Sequence, residues 1–149
     1  MEDFFDKFPL PHPFDVQERI SKGYREPYDL LEEKRLIFPE KINKNFNINE
    51  VLILGCGHTE GIYHALRNPD INYTCIDISK NAIDSSNKEA KSLNLKNCTF
   101  INANFLNFKY KSCYDVIYCR NVLQYIPDFS DGFNKIFNMI SAWFTLFVV

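Results

Sequence analysis

Three groups of residues in this chain have the types and spacing to do chemistry. The first is Gly55-Cys56-Gly57, with Gly61 close behind, set between an apolar run and a helical pattern. Glycine lets the backbone turn sharply and approach a ligand where a Cβ would collide. The N–H groups at the following helix start favour an anionic group. The second is Asp77, which follows Gly57 by roughly 20 residues, the separation at which an acid reaches ribose hydroxyls in a βαβ unit. The third is Arg120-Asn121 with Tyr125, just past another apolar run. Each group has a plainer reading. The glycines read Gly55-x-Gly57-x-x-x-Gly61, with Glu60 where the dinucleotide fingerprint has its third glycine, and a tight strand–helix turn needs no ligand. Asp77 equally suits a helix cap, Arg120 a surface carboxylate partner, and Tyr125 the core. His58 and His64 flank the glycine turn, where a lone histidine is usually structural, and His12 has no visible partner. No nucleophile–base set stands out, so catalytic residues are unassigned and no metal site is expected.

These residues need elements to position them. Val51-Leu52-Ile53-Leu54 reads as a short buried strand, and Ile62 to Arg67 as a helix with Ile62, Ala65 and Leu66 on one face. Tyr73 to Ile78 is a second strand. Ser79 then suits the N-cap of a helix reaching about Leu93, with Asn94 at its end. Residues 98–103 give strand three, 107–113 a solvated loop, and 115–119 strand four. A short apolar helix follows, stopped by Pro127. Ser130 is the expected cap of another helix with Phe133, Ile136, Phe137 and Ile140 on one side. The chain closes on Ser141-Ala142-Trp143-Phe144-Thr145-Leu146-Phe147-Val148-Val149, read as strand five. Strands alternating with helices predict an α/β domain, a parallel sheet with helices on both faces.

Over residues 49–149 the chain resembles the class I S-adenosylmethionine-dependent methyltransferases, which are Rossmann-like. VLILGCG is similar to their first motif, CIDIS to the second, and TFINANFLNF to the segment framing the adenine. YDVIYCRNVLQYIPD, similar to the fourth-strand motif, is the most specific match. The resemblance implies S-adenosylmethionine as cofactor. Gly55, Cys56 and Gly57 would lie against its methionine and ribose portions. Asp77 would accept the ribose hydroxyls, Ile78 would pack on the adenine, and Asn104 and Phe105 would frame the adenine edge. The Cys119 carbonyl would meet the methionine ammonium, and Arg120, Asn121 and Tyr125 would face the acceptor. The sequence departs from the family at Ile53, Thr59 and Asn104, where an acid, a glycine and an aspartate are common. The family also implies a further helix and an antiparallel hairpin after strand five, so the C-terminal strands are expected to be missing. A short protein, a cloned fragment and a truncated reading frame all fit; truncation is the expectation here. The unpaired edge of strand five would then invite a partner, such as a second copy in a homo-oligomer.

Composition is that of one globular domain of 149 residues, 46% hydrophobic and 24% charged, with a net charge of −2. Nothing in that balance asks for nucleic acid or an anionic membrane. Met139 to Val149, about 16 Å long as a helix, cannot span roughly 30 Å of hydrocarbon. Fourteen Phe and eight Tyr imply a bulky aromatic core. The five cysteines, Cys56, Cys75, Cys98, Cys113 and Cys119, have neither the parity nor the spacing of a disulfide or zinc framework, which suggests a reducing, cytoplasmic setting. Residues 1–48 are expected to be an N-terminal extension: Met1 to Phe8 is acidic and no signal peptide, Pro9, Pro11 and Pro13 then keep the chain extended, and short helices follow from residue 15. Tyr24 and Tyr28 there would cover the site or merely pack on the surface. Three functions remain open. They are methyl transfer to a small-molecule or protein acceptor, an inactive remnant or interaction module of the same fold, and an NAD-dependent oxidoreductase.

Overall fold

The computed structural model describes residues 2–8, 14–23, 48–110 and 114–148. The expectations for Pro9, Pro11, His12, Pro13, Tyr24, Tyr28, Cys113 and the end of the 107–113 loop lie outside them. Two short helices, α1 (Glu2–Lys7) and α2 (Val16–Ser21), precede the alternating part of the chain. Then follow β1 (Glu50–Leu54), α3 (Glu60–Arg67), β2 (Asn72–Asp77), α4 (Lys80–Ser92), β3 (Cys98–Asn102) and β4 (Tyr114–Cys119). A 3-10 turn (Leu123–Tyr125), α5 (Phe129–Phe137) and β5 (Ile140–Val148) complete the order. All five strands are parallel, in the order β3-β2-β1-β4-β5, the Rossmann-like sheet expected.

β1 occupies the centre because its apolar residues serve both faces. Successive side chains along a strand point to opposite sides. Val51 and Ile53 join Ile62, Ala65, Ile83 and Ala90 beneath α3 and α4, with Val16 of α2 in the same core. Leu52 and Leu54 join Phe105, Leu123 and Ile136 on the other face. A continuous apolar run is what a strand covered on both faces requires. Ile53, at 0% exposure, fills a position where a carboxylate would need a buried partner.

The caps follow local chemistry, with one correction. The Ser79 hydroxyl accepts the Ala82 N–H at 3.1 Å, as expected, and Asn94 closes α4 with φ +55°. At α5 the cap is Asp128, not Ser130. Its Oδ1 accepts from the Ser130 and Asp131 N–H groups at 2.8 and 3.2 Å. The face of α5 differs as well. Gly132 and Ile136 are buried, while Phe133 and Phe137 are exposed with Phe129 and Ile140 already opens β5. A Cβ on Gly132 would lie 2.8 Å from Ile126 Cδ1, so the glycine face is the one that can approach the turn beneath it.

Candidate functional site

The C-terminal ends of β1, β2, β3 and β4 surround a cavity of about 710 Å³. The register explains why chemically capable residues meet there. Leu54 pairs with both Ile76 and Cys119, so the next residues of the three strands, Gly55, Asp77 and Arg120, form one row across the sheet end. In an open parallel sheet, this crevice is where ligands bind.

Gly55 and Gly57 both have positive φ, +69° and +55°, which L side chains rarely adopt. A Cβ on Gly55 would lie 2.3 Å from Val122 Cγ2, so the turn after β4 closes directly over this glycine. Asn121, at φ +53°, makes the bend that brings Val122 there. The Gly55 and Cys56 N–H groups both donate to the Ile76 carbonyl, tying the turn to β2. Gly57 donates its N–H to Asp77 Oδ2 at 2.8 Å, and Ser79 donates its N–H to Asp77 Oδ1 at 2.8 Å. Asp77 is thus a turn acid and a cavity wall at once. A carboxylate offers about four lone-pair sites, so two remain for hydroxyl donors.

Ile78, Asn104 and Phe105 line the cavity beyond Asp77. Asn104 Oδ1 accepts the Leu106 N–H at 3.0 Å, which fixes the amide. On the β4 side Arg120, Asn121 and Tyr125 also line it. Arg120 pairs with an acid of the cavity wall: its Nε lies 3.6 Å from Oε1 of Glu60, and the two side chains are 20% and 13% exposed. Tyr125 is cavity wall rather than core, at 38% exposure.

Cys56, Gly57 and Cys119 are not brought to the cavity wall. The Cys56 side chain is buried in the core beneath α3 and α4, and Gly57 reaches the site only by its bond to Asp77. The Cys119 thiol packs in the opposite core, so only its backbone stands at the strand end. Burial first, and the Glu60 charge second, push that thiol up to about 12. His64 stacks against Tyr118 and Tyr73 with centroids 5.0 and 5.8 Å away, a core histidine. His58 is 8% exposed, and burial lowers its proton affinity against the opposing pull of Asp77 and Asp6. Among the described residues no group of three His, Cys, Asp or Glu side chains could hold a metal ion.

Glu60 and Phe5 are among the wall residues that escaped the sequence reading. Glu60 registered only as a missing glycine, although it opens α3 and faces the cavity. Phe5 of α1 also lines it, meeting Tyr125 edge-to-face at 5.2 Å. Asp6 holds α1 in place. Its Oδ1 accepts from the Ser79 hydroxyl at 2.5 Å and the Asn81 N–H at 3.1 Å. An acidic, Phe-rich octapeptide was the only available signal.

Fold and site together define a Rossmann-like α/β domain whose pocket lies at the carboxyl ends of its strands. A methyltransferase-domain family model matches residues 47–144, and the chain belongs to that family. The plantazolicin methyltransferase BpumL, solved in complex with SAH, is similar with a TM-score of 0.67 and 20% identity, covering 97% of this chain and 55% of that one. Coclaurine N-methyltransferase, bound to N-methylheliamine and SAH, gives 0.64 and 20% identity over 79% of this chain and 35% of its own. PKMT2 from Rickettsia typhi, in complex with AdoHcy, gives 0.62 and 19% identity over 68% of this chain and 20% of its own. An uncharacterised protein of Rickettsia prowazekii (strain Madrid E), RP789, is 30% identical over 81 residues, 53% of this chain and 15% of that protein. The chain spans about half the length of the BpumL chain, and less of the other three proteins. At these structural identities the likeness concerns the fold.

Proposed function

We propose that this chain binds S-adenosylmethionine and serves methyl transfer to a small-molecule or protein acceptor. The observation that carries the reading is the row Asp77–Gly55–Arg120, flanked by Ile78, Asn104 and Phe105. Asp77 keeps two acceptor sites for ribose hydroxyls while its other two are spent on the Gly57 and Ser79 N–H groups. Gly55 lets the Val122 side chain close over the glycine turn, so that both residues form the cavity wall. Ile78 and Phe105 supply apolar faces for an adenine.

The sulfonium cofactor supplies an already activated methyl group. The protein's task is to hold the acceptor close and in line, which is worth about 7–11 kcal/mol of barrier. No residue is assigned as a general base. Arg120, Asn121 and Tyr125 are the proposed acceptor-side wall. We take residues 1–48 as an extension and 49–149 as the cofactor-binding domain. Ile53, buried where an acid is common in the family, motivates a second reading, a binding or interaction module without turnover. Family membership removes the support for a nicotinamide oxidoreductase. Among the described residues no helix is long and apolar enough to cross a membrane. Free Cys56, Cys75, Cys98 and Cys119 support a cytoplasmic setting, and the outer edge of β5 is the proposed route to a homo-oligomer.

The test is calorimetric titration with S-adenosylmethionine, S-adenosylhomocysteine and NAD. Binding of the first two, lost in Asp77→Ala, is the expected result. Binding of NAD alone would overturn the reading. Cofactor binding without turnover across an acceptor screen would favour the non-catalytic module.

A further inference from the structure

We propose that α1 is a strap across the mouth of the cavity, caught on Ser79 and closed by Phe5, and that it must lift before a bound ligand can leave. The cofactor reading above supplies only the identity of that ligand. Three observations lead to the strap.

The first is span. Asp6 ties α1 to the β2 bank of the cavity. Its Oδ1 accepts from the Ser79 hydroxyl at 2.5 Å and the Asn81 N–H at 3.1 Å, and the Asn81 amide donates to its backbone carbonyl at 3.4 Å. The preceding residue, Phe5, meets Tyr125 of the β4 bank edge-to-face at 5.2 Å. β1 lies between β2 and β4 in the sheet, so the two banks stand roughly 10 Å apart. Two adjacent side chains of α1 therefore join opposite banks, with Phe5 in the cavity wall.

The second is how little else holds the helix. Six residues are too few for α1 to persist in water by propensity. Phe4 and Phe8 remain 51% and 59% exposed and pack on each other at 5.2 Å. The polar contacts that dock α1 come from Asp6, and the aromatic contact across the mouth comes from Phe5. An element held by so few buried contacts opens at small cost while the core stays folded.

The third is coupling to the ligand. A ligand that fills the cavity touches Phe5 only while α1 is docked. Such a differential contact is what shifts a conformational equilibrium. The anchor also shares a residue with the ribose acid. Ser79 donates its N–H to Asp77 and its hydroxyl to Asp6, so the turn that orients Asp77 is the turn that catches α1. Occupancy and docking reinforce each other, and linkage requires each to favour the other by the same factor.

The experiment measures release of S-adenosylhomocysteine from the full chain, by chasing bound labelled ligand with an excess of unlabelled ligand. Asp6→Ala removes the anchor at a side chain outside the cavity wall. It should speed release about tenfold or more, as expected for lost hydrogen bonds to a charged group. Phe5→Ala removes the contact across the mouth and should speed release about threefold or more. Phe8→Ala, on the same helix, should leave the rate unchanged. Amide exchange of α1 should slow when S-adenosylhomocysteine binds the unaltered protein, and should not respond in Asp6→Ala. The melting temperature of Asp6→Ala should barely move, because α1 lies outside both cores. Unchanged release in both the Asp6 and Phe5 variants, equal acceleration by Phe8→Ala, or α1 exchange indifferent to ligand would overturn the strap and leave the cofactor reading standing. Absence of binding by the unaltered protein would overturn both.

Discussion

Gly61→Ala tests whether the third glycine serves packing rather than ligand binding. Gly61 has no positive φ and is not in the cavity wall. A Cβ there would lie 2.5 Å from Cys75 Sγ and 2.7 Å from Phe100 Cε1, on two different strands beneath α3. Alanine gains up to about 1 kcal/mol of helix propensity over glycine, and less in a first turn. Overpacking a close-packed core costs about 1–3 kcal/mol, and clashes on two rigid strands put this site at the upper end. The net expectation is a destabilisation of about 2 kcal/mol, or roughly 4–8 °C in melting temperature for a chain of this size. Urea unfolding measures the first and thermal unfolding the second. Phe100→Leu removes the ring atoms in the way, so the double variant should be more stable than the sum of the singles by about 0.5 kcal/mol or more. Cofactor affinity of the folded Gly61→Ala protein should be unchanged. A variant as stable as the parent, or additive energies in the cycle, would refute the packing argument. Lost binding at retained stability would assign Gly61 to the ligand.

Three further outcomes follow from named contacts. Asp128→Ala removes the cap from two N–H groups of α5 and should cost about 1 kcal/mol by urea unfolding, whereas Ser130→Ala should cost little. The hydrogen bond from the Ser79 hydroxyl first, and that from the Asn81 N–H second, hold the Asp6 carboxyl below its ordinary 3.8. A depressed folded value means that this docking contribution is fully present above 3.8 and is lost as pH falls through the lowered value, so α1 amide exchange should quicken there in the parent but not in Asp6→Asn. The hydrogen bond with Cys75 first, and burial second, raise the Cys56 thiol, and burial raises Cys119 to about 12, so both should resist alkylation at pH 8 until urea unfolds the chain, as read by mass spectrometry.

The order of elements was legible because a doubly covered parallel strand announces itself as an unbroken apolar run, and Val51 to Leu54 of β1 and Val116 to Cys119 of β4 do so. Asp77 and Ser79 were legible for a second reason: their partners lie within the turn that they build or one βαβ unit away. The misreadings share a cause, a decisive partner distant in sequence or hidden in backbone geometry. The six-residue helix α1 is too short to stand by propensity. It is held by Asp6 at Ser79 and by Phe5 at Tyr125, contacts that no local window contains. On α5 the hydrophobic pattern favoured Phe133 and Phe137. Yet the neighbouring turn approaches only where Gly132 leaves room, and closeness of approach outweighed side-chain size.

The glycine stretch shows the same competition inside the site. In the dinucleotide fingerprint the third glycine allows the helix to pack tightly on the strands. Here Gly61 performs that task one position later than the fingerprint has it, against Cys75 and Phe100. Thr59 needs no glycine, because its φ of −130° is open to any residue. The shift frees position 60, which an α-helix rotates by about 100° from Gly61. With Gly61 against the sheet, Glu60 falls beside the cavity, within ion-pair distance of Arg120. The departure that weakened the motif as a sequence signal is therefore the same one that brings a carboxylate into the pocket. A one-residue change in glycine spacing moved a packing contact along the helix and set a charged pair in the cavity wall.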